Sequence, residues 1–262
     1  MRTRTNQRES ELLASPDAVD LSRTALLLDV DGTLLDIAST PAEVVVPAML
    51  REILEDLIDR SDGAVALVSG RTIDGLDLVF SPLVAPAIGG HGAEMRITAG
   101  GSVVETSAAV LSNSLRRELR LLGDVDPGVL VEDKVHSIAL HYRLVPEQET
   151  FLKVAVREIV ASEPNDDVEC LLGKYVIDIK PRQFSKGAAV CELMKRPPFA
   201  GRTPLFMGDD TTDESVFAIL PSLDGCGYSV GREIAGTQGT FASPQDVRSW
   251  LRRLWGRNGS GA

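Results

Sequence analysis

The chain has 262 residues, 44% of them apolar and with both charge signs interspersed, as in an ordinary globular protein with room for one large or two modest cores. Its net charge of −11 argues against a general surface for nucleic acid or anionic membrane, so an anionic ligand needs a local cluster of cations working against the global field. Cys170, Cys191 and Cys226 are scattered and lack metal-ligand spacing, which fits reduced, buried thiols in a cytoplasmic protein better than a disulfide framework.

Residues 1–20 are polar, mix arginines with acids and lack the apolar core of a signal peptide. No run of about 18 apolar residues follows anywhere. The expectation is a flexible tail over residues 1–23 and a protein that neither enters nor crosses a membrane. Ala25–Leu28 is a short continuous apolar run, the mark of a strand buried in a parallel sheet. A helix follows near Pro47–Arg60. Ala64–Val68 then reads as a second strand, leading through Ser69-Gly70-Arg71 into a helix over about 72–79. Glu94–Thr98 and Val103–Thr106 flank Ala99-Gly100-Gly101 as a hairpin.

From here the rhythm changes. A helix (109–122), a strand pair (129–133 and 137–142), a second helix (147–162) and a further strand pair (about 169–179) form an α+β insert, residues 107–181. The first pattern then resumes: a helix from about Lys186 to Met194, a strand at Pro204–Met207 and a helix near Asp213–Leu220. Trp250–Trp255 reads as an amphipathic helix docking its tryptophans on the core, and the Gly/Ser-rich 257–262 as a disordered end. Alternation of this kind predicts an α/β fold. Its core is a doubly wound parallel, Rossmann-like sheet (residues 24–106 and 182–262), with the smaller insert as a cap.

The chemistry concentrates where these strands end. LLLDVDGT puts Asp29 and Asp31 directly after the first strand, and in extended backbone residues i and i+2 point the same way. Two carboxylates in one small volume are costly unless a cation or a proton-transfer task requires them. A calcium loop of the EF-hand type needs a glutamate at its twelfth position, where counting from Asp29 gives Thr40 and from Asp31 gives Ala42. Gly208-Asp209-Asp210-Thr211-Thr212-Asp213-Glu214 repeats the placement after a later strand, although part of its acidity suits a capped helix start. Carboxylates from two strand ends make a hard oxygen site suited to Mg²⁺ rather than zinc. Ser69-Gly70-Arg71 offers a hydroxyl, an uncovered N–H and a cation at a third strand end, though a serine helix cap explains Ser69 equally well. Lys186 opposes the dipole at its helix start, so a nearby anion accounts for it best. No phosphate-loop or nucleophile-elbow pattern occurs, and Gly90-His91-Gly92 does not complete a dinucleotide fingerprint.

Taken in order, DVDGT, VSGR, a lone lysine before glycine and GDDTTDE resemble the haloacid dehalogenase (HAD) superfamily of phosphatases. GGHGAEMR (Gly89–Arg96), Glu132-x-Lys134, ALHYR (Ala139–Arg143) and GKYVIDIKP (Gly173–Pro181) are similar to the trehalose-6-phosphate phosphatases within it. The resemblance spans roughly residues 24–255. It implies Asp29 as nucleophile and Asp31 as general acid, then general base. It further implies Mg²⁺ held by Asp29, the carbonyl of Asp31 and Asp209, with Asp210 and Asp213 nearby. Ser69, Gly70, Arg71 and Lys186 match the phosphate-holding positions. Glu132, Lys134, Arg143, Lys174 and Asp178 match those that grip the sugar, Asp178 standing where the family usually has glutamate. A cap that closes to exclude water, a monomer and functional pairing with a trehalose-6-phosphate synthase are further expectations. The alternatives are a phosphatase for sucrose 6-phosphate or a mannosyl phosphoglycerate, a phosphomutase, or a non-catalytic sugar-phosphate-binding module. Retention of Asp29, Asp31 and Lys186 speaks against the last.

Overall fold

The computed structural model describes residues 18–38, 40, 43–105, 111–163 and 167–256. In chain order it runs β1 (Thr24–Leu28), α1 (Ala48–Arg60), β2 (Val65–Val68), α2 (Ile73–Phe80), β3 (Ala87–Gly89), β4 (Glu94–Arg96) and β5 (Val104–Glu105). Next come α3 (Asn113–Leu121), β6 (Leu130–Asp133), β7 (Ile138–His141), α4 (Glu149–Ala161), β8 (Val168–Gly173) and β9 (Val176–Pro181). The chain ends with α5 (Lys186–Leu193), β10 (Thr203–Gly208), α6 (Glu214–Ile219), β11 (Cys226–Val230), β12 (Gly239–Phe241) and α7 (Pro244–Gly256).

Eight strands form one sheet in the order β12-β11-β10-β1-β2-β3-β4-β5. It is parallel from β12 to β3, and the β4–β5 hairpin closes it antiparallel. Strand alternation sorts its apolar residues into two cores. Leu26, Leu28, Val65, Leu67, Leu205 and Met207 pack with α1, α2 and α7 on one face. Ala25, Leu27, Ala66, Val68 and Phe206 pack with α5 and α6 on the other. The result is an α/β sheet wound on both sides. A second, antiparallel sheet runs β6-β7-β9-β8. Its Ile138, Leu140, Ile177 and Ile179 share a separate core with Leu115 and Leu119 of α3 and with Leu152 and Val156 of α4.

Internal contacts divide the chain into two compact units. One comprises Met1–Ile37, Val44–Glu105 and Lys186–Ala262, and the other Ala38–Glu43 with Thr106–Ser185. Residues 18–23, expected within a flexible tail, are docked: Val19 and Leu21 are apolar enough to join the larger core, and Arg202 holds the Leu21 carbonyl. Residues 1–17 and 257–262, and with them the rest of the expected tails, lie outside the described residues. Helix α3 starts at Asn113 because the Ser112 hydroxyl caps it, accepting the Leu115 N–H at 3.1 Å. Helix α6 starts at Glu214, one residue later than expected, because Thr211–Asp213 form a tighter 3₁₀ turn capped by Asp210. Of the three thiols expected to be buried only Cys226 is, Cys170 and Cys191 being partly exposed. Among the described residues no helix is long and apolar enough to cross a membrane.

Trp250 is 1% exposed and meets Phe241 edge-on, while Trp255 packs partly buried against the same core. Truncation of Trp250 to alanine should therefore cost about 3–5 kcal/mol, read as a lower urea midpoint at unchanged slope.

Candidate active site

Strands β10, β1 and β2 are parallel neighbours, so their carboxyl ends lie side by side at the edge where open α/β sheets bind ligands. These ends carry Asp209, Asp29 and Ser69. Asp29 is 4% exposed, and its N–H donates to the Met207 carbonyl at 2.9 Å. The chain then turns on Val30, whose carbonyl accepts N–H groups from Thr33, Leu34 and Leu35. Gly32 makes this possible, with φ at +92° and with Asp209 Oδ2 2.1 Å from where a Cβ would stand. Thr33 Oγ1 donates to Asp209 Oδ1 at 3.2 Å, tying the two loops together.

The two aspartates of DxD have different partners. Asp29 Oδ1 accepts from Lys186 Nζ at 2.7 Å, and the same ammonium donates to Asp213 Oδ1 at 2.7 Å. Asp31 is gripped by Arg71, Nε at 2.6 Å and one Nη at 2.8 Å, in a two-pronged pair. The strand ends at Leu28, so the extended spacing that suggested a shared volume does not persist through the turn. Lys186, the first residue of α5, has its anions in Asp29 and Asp213.

Burial pushes the Asp29 carboxyl well above the usual range, and neighbouring Asp213 and Asp209 add to this while Lys186 opposes it. Asp209 is pushed up to about 6, by burial first and then by Asp213. Burial alone would lower Lys186, but Asp213 and Asp29 hold it above the ordinary lysine value. Carboxylate oxygens of Asp29, Asp209 and Asp213 lie within 4.8 Å of one another. Three acids against one lysine leave negative charge uncompensated, and Asp29 Oδ2 is buried without a hydrogen-bond partner. An all-oxygen donor set with a surplus of charge fits a hard divalent cation. Asp213 is the most committed of the three, since its Oδ2 also accepts the N–H groups of Asp209 (2.9 Å) and Asp210 (3.0 Å). Asp210, grouped with the metal residues in the sequence, stands outside this carboxylate cluster, whereas the expectation for Asp31 concerns its main-chain carbonyl and not its side chain. Asp210 caps the Thr211 turn, and the Asp31 side chain belongs to Arg71.

Ser69 is buried, and its Oγ accepts the Arg71 N–H at 3.1 Å. It does not cap α2; Thr72 does, accepting the Gly75 N–H. His91 escaped the sequence reading as a site residue. Its ring lies 2.3 Å from where a Cβ on Gly70 would stand, and its backbone N–H donates to the Ser69 carbonyl at 3.1 Å. Gly90 N–H adds a bond to the Arg71 carbonyl at 2.7 Å, so the GGHG segment braces the whole Ser69–Arg71 loop. His91 sits at φ +55°, a conformation that its flanking glycines offered as a signal. Arg232 was also missed. Its guanidinium donates to the Asp209 carbonyl (3.1 Å) and to Glu214 (3.0 Å), and nothing in its local sequence marks it.

The remaining candidates fall in two groups within the second unit. Across β6, β7 and β9 the register aligns Glu132, Ala139 and Asp178. Lys134 Nζ is 3.3 Å from Asp178 Oδ1 and 3.7 Å from Glu132 Oε2, which also pairs with His141 Nε2 at 3.0 Å. At the β8–β9 turn, Arg143 donates to the Lys174 carbonyl at 3.1 Å and lies over the Tyr175 ring at 5.4 Å.

Residues 27–246 match the trehalose-phosphatase family. The chain belongs to that family. It is 37% identical over 233 residues to the trehalose-6-phosphate phosphatase of Escherichia coli, covering 89% of this chain and 87% of the relative. It is 31% identical over 215 residues to the bifunctional trehalose-6-phosphate synthase/phosphatase of Thermoproteus tenax, covering 78% of this chain and 28% of that protein. The structure of the Candida albicans trehalose-6-phosphate phosphatase C-terminal domain superposes with a TM-score of 0.82, covering 95% of this chain and 97% of that one; at 23% identity this speaks for the fold. This member of the trehalose-phosphatase family is thus a phosphatase with a HAD-type core.

An acid whose folded value is raised binds protons more tightly in the fold than when unfolded, so metal-free stability should fall as pH rises from 3.8 toward about 6 at Asp209. In chelator, the melting midpoint should drop between pH 5 and 7 for the wild type and less for Asp209→Asn. Adding Mg²⁺ at pH 7 should raise the wild-type midpoint more than that of the variant. Parallel pH curves with equal Mg²⁺ responses would contradict the assignment.

Proposed function

We propose that this phosphatase hydrolyses trehalose 6-phosphate to trehalose and phosphate through an aspartyl-phosphate on Asp29. The observation that carries the reading is a buried carboxylate at a central strand end, paired at 2.7 Å with a buried lysine and flanked by two further acids. Family membership supports the same chemistry.

In this mechanism an oxygen of Asp29 attacks phosphorus in line with the ester bond, and the phosphorus–sugar oxygen bond breaks. Asp31 gives its proton to the departing sugar oxygen. It then takes one from water, which attacks the phosphorus and releases phosphate and the Asp29 carboxylate. Arg71 grips both oxygens of the ionised Asp31, the form that takes the proton from water, and releases one of them when Asp31 carries the proton. Ser69, the Gly70 N–H and Lys186 hold the phosphoryl oxygens. Two like charges about 4 Å apart repel by roughly 4 kcal/mol at an effective dielectric near 20, so a carboxylate approaching a phosphate needs cations close by. Asp29, Asp209 and Asp213 would hold Mg²⁺, which when bound supplies charge neutralisation for the nucleophile and the transferred group.

Residues 107–181 act as the specificity domain, with Glu132, Lys134, Arg143, Lys174 and Asp178 gripping the sugar. Its hydroxyls are neutral and need aimed donors and acceptors, both of which this set contains. Asp178 is one methylene shorter than the family's usual glutamate and here serves Lys134. The protein works in the cytoplasm as a monomer. The joining of synthase and phosphatase in the Thermoproteus tenax relative supports functional pairing with a synthase.

Asp29→Asn should cut phosphate release by at least about a thousandfold while circular dichroism stays native. Robust turnover by that variant would remove Asp29 as nucleophile. In a panel of sugar phosphates with Mg²⁺, trehalose 6-phosphate should show the highest kcat/KM, above sucrose 6-phosphate, and chelator should abolish the signal. A preference for sucrose 6-phosphate would overturn the substrate assignment.

A further inference from the structure

The polar face of the second sheet contains a residue with no role so far. His141 on β7 lies diagonally across from Glu132 on β6, Glu132 being in register with Ala139. Its Nε2 is 3.0 Å from Glu132 Oε2. We propose that His141 is a positioning residue for sugar recognition, holding Glu132 as an aimed acceptor for a hydroxyl of the substrate. The proposal rests on the reading of Glu132 as a sugar-gripping group.

The geometry supports it in three ways. The Glu132 side chain is 45% exposed, so it retains access for a ligand, whereas His141 at 20% is the more enclosed partner. A long acid on a sheet surface loses much rotamer freedom when it binds, and a fixed partner removes part of that cost beforehand. Finally, burial would raise Glu132, but the His141 bond and Lys134 keep it below the usual carboxylate range. Ionised, it is purely an acceptor, which suits a hydroxyl donor. His141, Glu132, Lys134 and Asp178 thereby form one row of alternating donors and acceptors. The opposite face of the sheet is apolar and filled by its own core.

The test compares His141→Ala, His141→Gln and Glu132→Ala by steady-state kinetics on trehalose 6-phosphate and on p-nitrophenyl phosphate, which has no sugar hydroxyls. The Ala variant should raise KM for trehalose 6-phosphate by about five- to tenfold, the size of one ordinary hydrogen bond's net contribution. Its kcat should stay close to wild type, and the preference for the sugar phosphate over the aryl phosphate should fall in the same proportion. The Gln side chain can place an amide N–H near the Nε2 position, so His141→Gln should restore KM to within about twofold. Equal losses on both substrates, or no rescue by Gln, would mean a structural role and overturn the proposal. A wild-type KM in His141→Ala beside a defective Glu132→Ala would overturn the positioning role alone. If Glu132→Ala itself leaves the preference intact, the sugar-gripping reading fails and takes this proposal with it.

Discussion

The structure depends on a charge imbalance that has to be held inside the protein. Asp29, Asp209 and Asp213 bring carboxylates to one buried place, and Lys186 answers them with a single ammonium. Taking such ions out of water costs several kcal/mol each unless geometry and hydrogen bonds compensate, and here compensation is partial. The two backbone N–H groups on Asp213 and the lysine settle that residue completely. Asp29 and Asp209 are left with raised proton affinity. That residual charge makes the place receptive to a hard cation, which would take the place of the protons that Asp29 and Asp209 otherwise hold. A fully neutralised cluster would be more stable and chemically inert.

Everything around the cluster serves to fix it. The parallel register of β10, β1 and β2 sets three strand ends abreast, and Gly32 leaves the opening through which Asp209 approaches the first loop. Arg232 ties down the Asp209 backbone from a loop after β11, and the GGHG segment braces the Ser69 loop from after β3. The bonds to the Ser69, Arg71 and Asp209 carbonyls involve backbone acceptors, which position without tuning. Side chains supply the charges: Lys186 pairs with Asp29 and Arg71 with Asp31. The two aspartates thus have separate cations although they are two residues apart.

Much of this was legible because it is local. A continuous apolar run followed by an acid or a serine marks a buried strand ending in a polar turn, and β1, β2 and β10 all carry that signature. Lys186 was legible for a related reason, since a cation at a helix start requires an anion, although the anions lie 27 and 157 residues away. What escaped was long-range. Nothing near Arg71 says that it closes on a carboxylate 40 residues earlier, and nothing near Arg232 points to Asp209. Asp210 and Asp213 look equivalent in GDDTTDE; only the 3₁₀ turn separates the capping residue from the buried one. Val19 and Leu21 are two apolar residues in a polar stretch, too few to show a period, yet the core has room for them.

In the proposed function the two units divide according to what each must recognise. A phosphoryl group is small and highly charged, and the same in every ester, so a buried, rigid and strongly polarised site can bind and cleave it without reading the rest of the molecule. A sugar offers neutral hydroxyls at fixed angles, for which strong fields give no discrimination and aimed hydrogen bonds give most of it. For the proposed sugar site the second sheet offers a half-exposed Glu132 in a row with the more enclosed His141, Lys134 and Asp178. Shortening one acid of that row, as Asp178 does, changes reach and leaves charge alone. In the proposed mechanism the effect of such a change falls on which sugar is held, while cleavage at Asp29 stays as it is.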